Sequence, residues 1–212
     1  MMRVAIMAHP SRRDRVEKYL LPRLTAQVMC AQGLGCDVIG PIVHEDTDGA
    51  GLDVMRRRCI AAAADHTLVV QDDVTVCADF IEAAWHLAHM RPEGAIVLAP
   101  IDCEALRRAH EFGRSWVQDE GAQWPRYNSS PCSILPDSLR RRVLTEPTHS
   151  DDDALMRKAL AGASIFIPVP AIAIHSDMRS TKGHWRSGQR PPFVGEHARA
   201  PLEHYLRQCY IA

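Results

Sequence analysis

The sequence lacks any apolar run approaching the roughly 18 residues of a membrane-spanning helix. Its opening residues, MMRVAIMAHP, are too short for a secretory signal and read instead as a first strand, so a cytoplasmic location is expected. There is no Cys-x-x-Cys pair. The seven cysteines (Cys30, Cys36, Cys59, Cys77, Cys103, Cys132 and Cys209) are odd in number and scattered, which argues against a disulfide framework and against structural zinc. They are expected to be reduced and mostly buried. Excess charge of either sign is also missing: the formal net charge of -1 gives no global attraction to nucleic acid or an anionic membrane. No repeat or low-complexity segment stands out. What remains is a chain of 212 residues, 46% hydrophobic and 24% charged, enough for one soluble globular domain with a sizeable core.

Along the chain, residues 4–8 read as a strand closed by His9 and Pro10. Ser11 can then cap a helix carrying Val16, Leu20, Leu24 and Val28 at helical spacing, with a kink expected at Pro22. A second strand at 36–43 and a polar Gly- and Asp-rich loop lead to a helix from Leu52, with Arg56, Arg57 and Arg58 around its apolar face. Residues 67–70 form a third strand that ends abruptly in Gln71-Asp72-Asp73-Val74. A helix from Phe80 and a fourth strand at 95–99 complete a β-α-β-α-β-α-β series, which predicts a doubly wound parallel sheet. After Pro100 the pattern is less regular. Residues 101–123 read as a helix or a long loop, 124–130 as a polar loop with Trp124 and Tyr127, and 132–135 as a short strand. Ser150 and Asp153 form a capping pattern for a helix that Gly162 stops. Residues 164–175 are β-like but broken by Pro168 and Pro170, so an edge strand or a bent pair of short strands is expected, ending at His175. Beyond it, six Lys or Arg residues (Arg179, Lys182, Arg186, Arg190, Arg199, Arg207) outnumber Glu196 and Glu203.

Three polar features therefore stand at strand ends or a helix start: Asp72-Asp73, Asp151-Asp152-Asp153, and His175. Carboxylates at the C-terminal end of a buried strand lie where α/β folds bind ligands. A hard cation such as Mg²⁺ or Mn²⁺ takes carboxylate oxygens, and Mn²⁺ also accepts imidazole, so one Asp and one distant His suit an open metal site. Such a site leaves positions for a diphosphate, whose charge the basic tail can also meet. A carboxylate held off the metal can serve as general base toward a hydroxyl.

The order of strand-QDDV, an acidic triplet opening a helix, and a strand ending in His before a Ser/Thr- and Arg-rich segment resembles the GT-A nucleotide-sugar glycosyltransferases, from Val4 to about Gly195. The resemblance implies an α/β, GT-A-like fold: a Rossmann-type, mostly parallel sheet flanked by helices in a single domain. It implies a catalytic domain over residues 1–176, with a nucleotide-sugar half over about 1–100 and an acceptor half over about 101–176. A basic segment, residues 177–212, would close over the site. In the family's D-x-D-type motif the last Asp binds the metal, so Asp73 takes that role with His175. Gln71 departs from the usual acid. Asp72 would support the nucleotide, with Arg12 and Arg13 after the first strand and Lys182 and Arg186 on the diphosphate. Asp151-Asp152 look like the motif that supplies the base of inverting members, Asp152 foremost. The donor would be a nucleoside diphosphate sugar, the metal Mn²⁺ or Mg²⁺. The length and the tail are also similar to short bacteriophage glycosyltransferases, which makes a hydroxymethylated DNA base, or else a glycan, the expected acceptor.

Each assignment has a plainer counterpart. Asp153 and its neighbours suit a helix N-terminus, His175 can be a core histidine, and Arg12, Arg13, Lys182 and Arg186 can be solvated. Two other functions compete. A nucleotidyltransferase would share the fold but would carry a Gly-rich loop after the first strand, where HPSRRDR has no glycine. A non-catalytic nucleotide-sugar binding module would account for Gln71.

Overall fold

The computed structural model describes residues 1–100, 104–119, 131–149, 152–176 and 191–207. Strand β1 (Met2–Ala8) leads into a helical stretch of changing character: a 3-10 turn (Pro10–Arg12), a single turn α1 (Arg13–Arg15), a π turn (Val16–Leu20) and helix α2 (Leu21–Gly33). The irregularity expected at Pro22 is that π turn, in which the Leu21 N–H donates to the Val16 carbonyl. Pro22 has no N–H to offer the preceding turn. Val16, Leu20, Leu24 and Val28 are all buried, as their spacing predicts. Strand β2 (Val38–Glu45), helix α3 (Leu52–Ile60), strands β3 (His66–Gln71) and β4 (Val74–Val76), helix α4 (Phe80–Met90) and strand β5 (Ala95–Val97) follow. The remainder comprises α5 (Glu104–Glu111), β6 (Trp116–Asp119), β7 (Cys132–Pro136), α6 (Asp137–Thr145), α7 (Asp152–Ala159), β8 (Ile165–Pro168), β9 (Ala173–His175) and α8 (Leu202–Arg207).

Seven strands make one mostly parallel sheet in the order β2-β1-β3-β7-β5-β8-β6, and β4 pairs with β9 in a separate two-stranded ribbon. The inner strands β1, β3, β5, β7 and β8 are nearly continuous apolar runs because both faces of the sheet are covered there, whereas the edge strand β2 leaves Ile42 and Val43 exposed. Val4, Ile6, Leu68, Val70, Ile134 and Phe166 face a layer that includes Leu24 and Val28 of α2, Phe80 and Leu87 of α4 and Tyr205 of α8. The alternate residues Ala5, Met7, Val69, Leu135 and Ile167 face α3, α5, α6 and α7. This is the single-domain α/β architecture that the sequence predicts. Gly40 allows β2 to follow β1: its φ is 111°, and a Cβ there would lie 2.5 Å from the Val4 carbonyl oxygen. The register between the two strands shifts at this point.

Several details differ from the expectation, among them strand β6, which forms within residues read as a helix or a long loop. The first four parallel strands are not contiguous, because β7 runs antiparallel between β3 and β5 and pairs with both. A strand that returns after a long connection carries no pairing information in its own residues. Of the two readings of residues 164–175, the bent pair of short strands is observed, as β8 and β9, while β8 is not at an edge because β5 and β6 flank it. The two prolines are accommodated because β8 ends at Pro168 and the chain bends before β9. Helix α6 is unexpected from SLRRRVLT, whose apolar anchors are Leu139 and Val143. Its Arg140 is buried because the guanidinium donates to the carbonyls of Ile60 and Ala61 at 3.1 and 3.3 Å, at the C-terminus of α3.

Candidate active site

Strands β1 and β3 end side by side at the same end of the sheet, and each is followed by the residues of interest. The Asp72 N–H donates to the Met7 carbonyl (3.1 Å), which sets the acidic loop beside the turn that leaves β1. From that turn Arg12 reaches across. One guanidinium nitrogen, Nη1, donates to Asp72 Oδ1 at 2.6 Å and to Asp73 Oδ2 at 2.7 Å. The three side chains are 8%, 5% and 7% exposed, so this is a buried ionic cluster. The other oxygen of Asp72 accepts the His9 N–H at 2.6 Å. Burial pushes the Asp72 carboxyl above its ordinary value, against the opposing pull of the His9 amide and Arg12. Burial also works against the Arg12 cation, but its two carboxylates outweigh that and hold its pKa above the ordinary value.

His175 arrives from a distant part of the sequence through the β4–β9 ribbon, in which it pairs with Val74. Its Nε2 is 3.2 Å from Asp73 Oδ2, and its Nδ1 lies 3.1 Å from the Ser176 carbonyl. A carbonyl only accepts, so Nδ1 donates to it, which leaves Nε2 as the nitrogen that faces Asp73. The Asp73 carbonyl accepts both the N–H and the hydroxyl of Ser176, each at 2.7 Å, which ties the two halves of the site together. Asp73 Oδ1 is buried and has no hydrogen-bond partner among the described residues.

These features fit a divalent cation. Adjacent ligands of an octahedral ion with metal-ligand distances of roughly 2.0–2.1 Å stand about 3 Å apart, close to the Asp73–His175 separation. A hydrogen bond from the non-ligating nitrogen is the usual support of a metal-binding histidine. Among the described residues no cluster of three or more His, Cys, Asp or Glu side chains is placed to hold a metal. Asp73 and His175 are thus the two described side chains here that could ligate a cation, and water and phosphate would have to complete its shell.

The other sequence candidates are distributed as follows. Arg13 points away from the pair and makes a two-point salt bridge with Glu45 (2.9 and 2.6 Å) at the end of β2. Asp152 is the first residue of α7. Asp151, Lys182, Arg186, Trp124 and Tyr127 lie outside the described residues, as does Ser150 of the capping pattern. Two further arginines matter that the sequence reading did not single out. Arg15 donates to the carbonyls of Asp72 (2.8 Å) and Val74 (3.1 Å), and Arg23 to those of Val76 (3.0 Å) and Glu196 (2.6 Å). Their signal was present: Arg12, Arg15, Tyr19 and Arg23 form a stripe at near-helical spacing beside the apolar face of the same helix. Arg56, read as flanking the apolar face of α3, is fully buried.

No protein-family model and no curated protein matches the chain. Solved structures do. Staphylococcus aureus TarS, in complex with UDP-GlcNAc, superposes with a TM-score of 0.53 at 12% identity, over 90% of this chain and 60% of the TarS chain. This chain therefore spans less than two thirds of that chain. A mutant Drosophila β-1,4-galactosyltransferase 7, in complex with manganese, UDP-Gal and xylobiose, matches with a TM-score of 0.48 at 12% identity, over 89% of this chain and 76% of that one. A putative glucose-1-phosphate thymidylyltransferase from Bacillus anthracis gives a TM-score of 0.43 at 11% identity, over 76% and 85% of the two chains. At these identities the likeness is one of fold, and the fold is that of the GT-A glycosyltransferases.

Proposed function

We propose that this protein is a metal-dependent glycosyltransferase that moves a sugar from a nucleoside diphosphate sugar to a hydroxyl acceptor with inversion. The observation that carries the proposal is the convergence of Asp73 and His175 at the C-terminal end of β3, with one buried Asp73 oxygen unpartnered among the described residues. The superposition on TarS supports it at the level of fold. Asp73 and His175 would hold Mn²⁺ or Mg²⁺, which when bound supplies positive charge for the diphosphate. Arg13, paired with Glu45 at the end of β2, would contact the nucleotide, and Asp72, through Arg12 and the His9 amide, would order the turn that carries Arg13. Lys182 and Arg186 would supply cations for the diphosphate oxygens.

Asp152 accepts the proton of the acceptor hydroxyl as its oxygen bonds to the anomeric carbon. The bond from that carbon to the phosphate oxygen breaks on the opposite side, and nucleoside diphosphate leaves with the electron pair. One displacement with one base inverts the anomeric centre. The acceptor is a hydroxymethylated DNA base, favoured by the basic segment over residues 177–212, or a glycan hydroxyl. That segment would close over a catalytic domain of residues 1–176 in the cytoplasm. A screen of UDP-, GDP-, ADP- and CMP-linked sugars for nucleotide release, with and without hydroxymethylated DNA and with Mn²⁺ or EDTA, tests the reading. Metal-dependent release from one donor is expected; binding without turnover on every acceptor would make the protein a binding module instead.

A further inference from the structure

The geometry points to Arg12 as a resident cation that keeps divalent metal off Asp73 until a nucleoside diphosphate arrives. This inference rests on the metal-diphosphate reading of the site and adds a binding order to it. Asp72 and Asp73 bring two negative charges to one buried spot, and the Arg12 guanidinium, in contact with both, cancels one of them. Asp72 is further engaged by the His9 amide, so the open group is Asp73. A divalent ion entering alone meets one net negative charge, two protein ligands, and a guanidinium already bound to the oxygen nearest His175. Charges a few Å apart in a partly desolvated site interact strongly enough to change affinity by an order of magnitude or more. A diphosphate adds at least two negative charges, which overcome that repulsion. Metal and nucleotide then favour each other's binding reciprocally.

The opposite expectation follows if Arg12 only holds the turn in shape: its removal would loosen the ligands and weaken metal binding. The two differ in sign. Mn²⁺ binding to the full chain, followed by loss of the free-ion EPR signal without nucleotide, is compared for wild type, Arg12→Met, Asp72→Asn and the double variant. The cluster then carries one, two, no and one net negative charge respectively. Mn²⁺ affinity is expected to rise about tenfold or more in Arg12→Met, to fall by a similar factor in Asp72→Asn, and to return to within about threefold of wild type in the double variant. An Arg12→Met protein that folds and binds Mn²⁺ no better than wild type overturns the inference. Should that variant fail to fold by circular dichroism, the comparison of Asp72→Asn with the double variant decides: equal affinities overturn the inference, and weaker binding by Asp72→Asn supports it. The same titrations with UDP, GDP, ADP and CDP, including Asp73→Asn, separate this from failure of the underlying reading. If no diphosphate promotes Mn²⁺ binding to wild type and Asp73→Asn changes nothing, the metal site itself is wrong and the inference falls with it. If one does, and Asp73→Asn abolishes it without the charge ladder, only the role of Arg12 falls.

Discussion

Two arginine clusters in this molecule look alike in the sequence and do different things. In the turn after β1, Arg12 is buried against two carboxylates. Between α3 and α6 the acceptors are mostly backbone carbonyls: Arg57 donates to those of Val143, Leu144, Glu146 and Pro147 at 2.8–3.0 Å. Arg140 does the same for the end of α3, so each helix supplies the cap of the other. Peptide dipoles at a helix end are complemented by one guanidinium with little charge left over. Two adjacent carboxylates are not. The first cluster is therefore a site with residual charge, and the second is a splice between antiparallel helices.

The sharpest break of this comparison is functional. Asp73→Asn is expected to remove metal-dependent nucleotide binding, a loss of about a hundredfold or more by calorimetry, in keeping with a site that has one carboxylate ligand. Asp152→Asn should leave that binding intact and reduce transfer by about 10²- to 10⁴-fold, the usual contribution of a general base. Equal loss of binding in both variants would overturn the division of roles. Next in size is stability. Arg12→Met leaves two buried carboxylates uncompensated and is expected to cost about 3–5 kcal/mol in urea unfolding. Arg57→Met removes a charged donor from a helix end, and about 1.5–3 kcal/mol is expected. Arg13→Met, next to Arg12 but exposed and paired with Glu45, should leave the unfolding midpoint where it is. If Arg12→Met and Arg13→Met shift the midpoint equally, burial is not what distinguishes them.

The smallest effect concerns His66, at the opposite end of β3 from the acidic loop. Burial first, then the nearby charge of His89, lowers its pKa from the ordinary value of 6.5. A histidine held neutral in the folded state contributes stability above pH 6.5, and that contribution is lost as pH falls from there through the lowered value. Wild-type unfolding midpoints are therefore expected to drop between pH 7.5 and pH 5.5 by more than those of His66→Gln. Identical slopes would remove His66 from the account.

How much of this could be read beforehand follows from the same physics. Buried parallel strands and the helices between them leave local signatures of period and length, so β1, β2, β3, β5 and their helices were legible. The insertion of β7 was not, because strand pairing is a long-range choice. Helix α6 was hidden for a different reason: two apolar residues and a buried Arg140 do not make an amphipathic pattern, and the stabilising partner of that arginine is another helix's end. In the candidate site, the places of Asp73 and His175 at strand ends anticipated that the two side chains converge. Arg12 was expected to face a ligand, and its carboxylate partners were not foreseen, because HPSRRDR does not say which arginine turns inward.

The β4–β9 ribbon makes the site a matter of counting. Only three residue pairs set its register, Val74 with His175, Thr75 with Ile174 and Val76 with Ala173. Neighbouring residues of a strand point to opposite sides, so a slip by one position would present Ile174 where the imidazole stands and turn His175 away. Asp73 would stay where Arg12 and β3 hold it. A one-residue insertion between Ile172 and Ala173 would thus leave the Asp73 carboxylate without its imidazole neighbour, with both residues and the seven-stranded sheet unchanged.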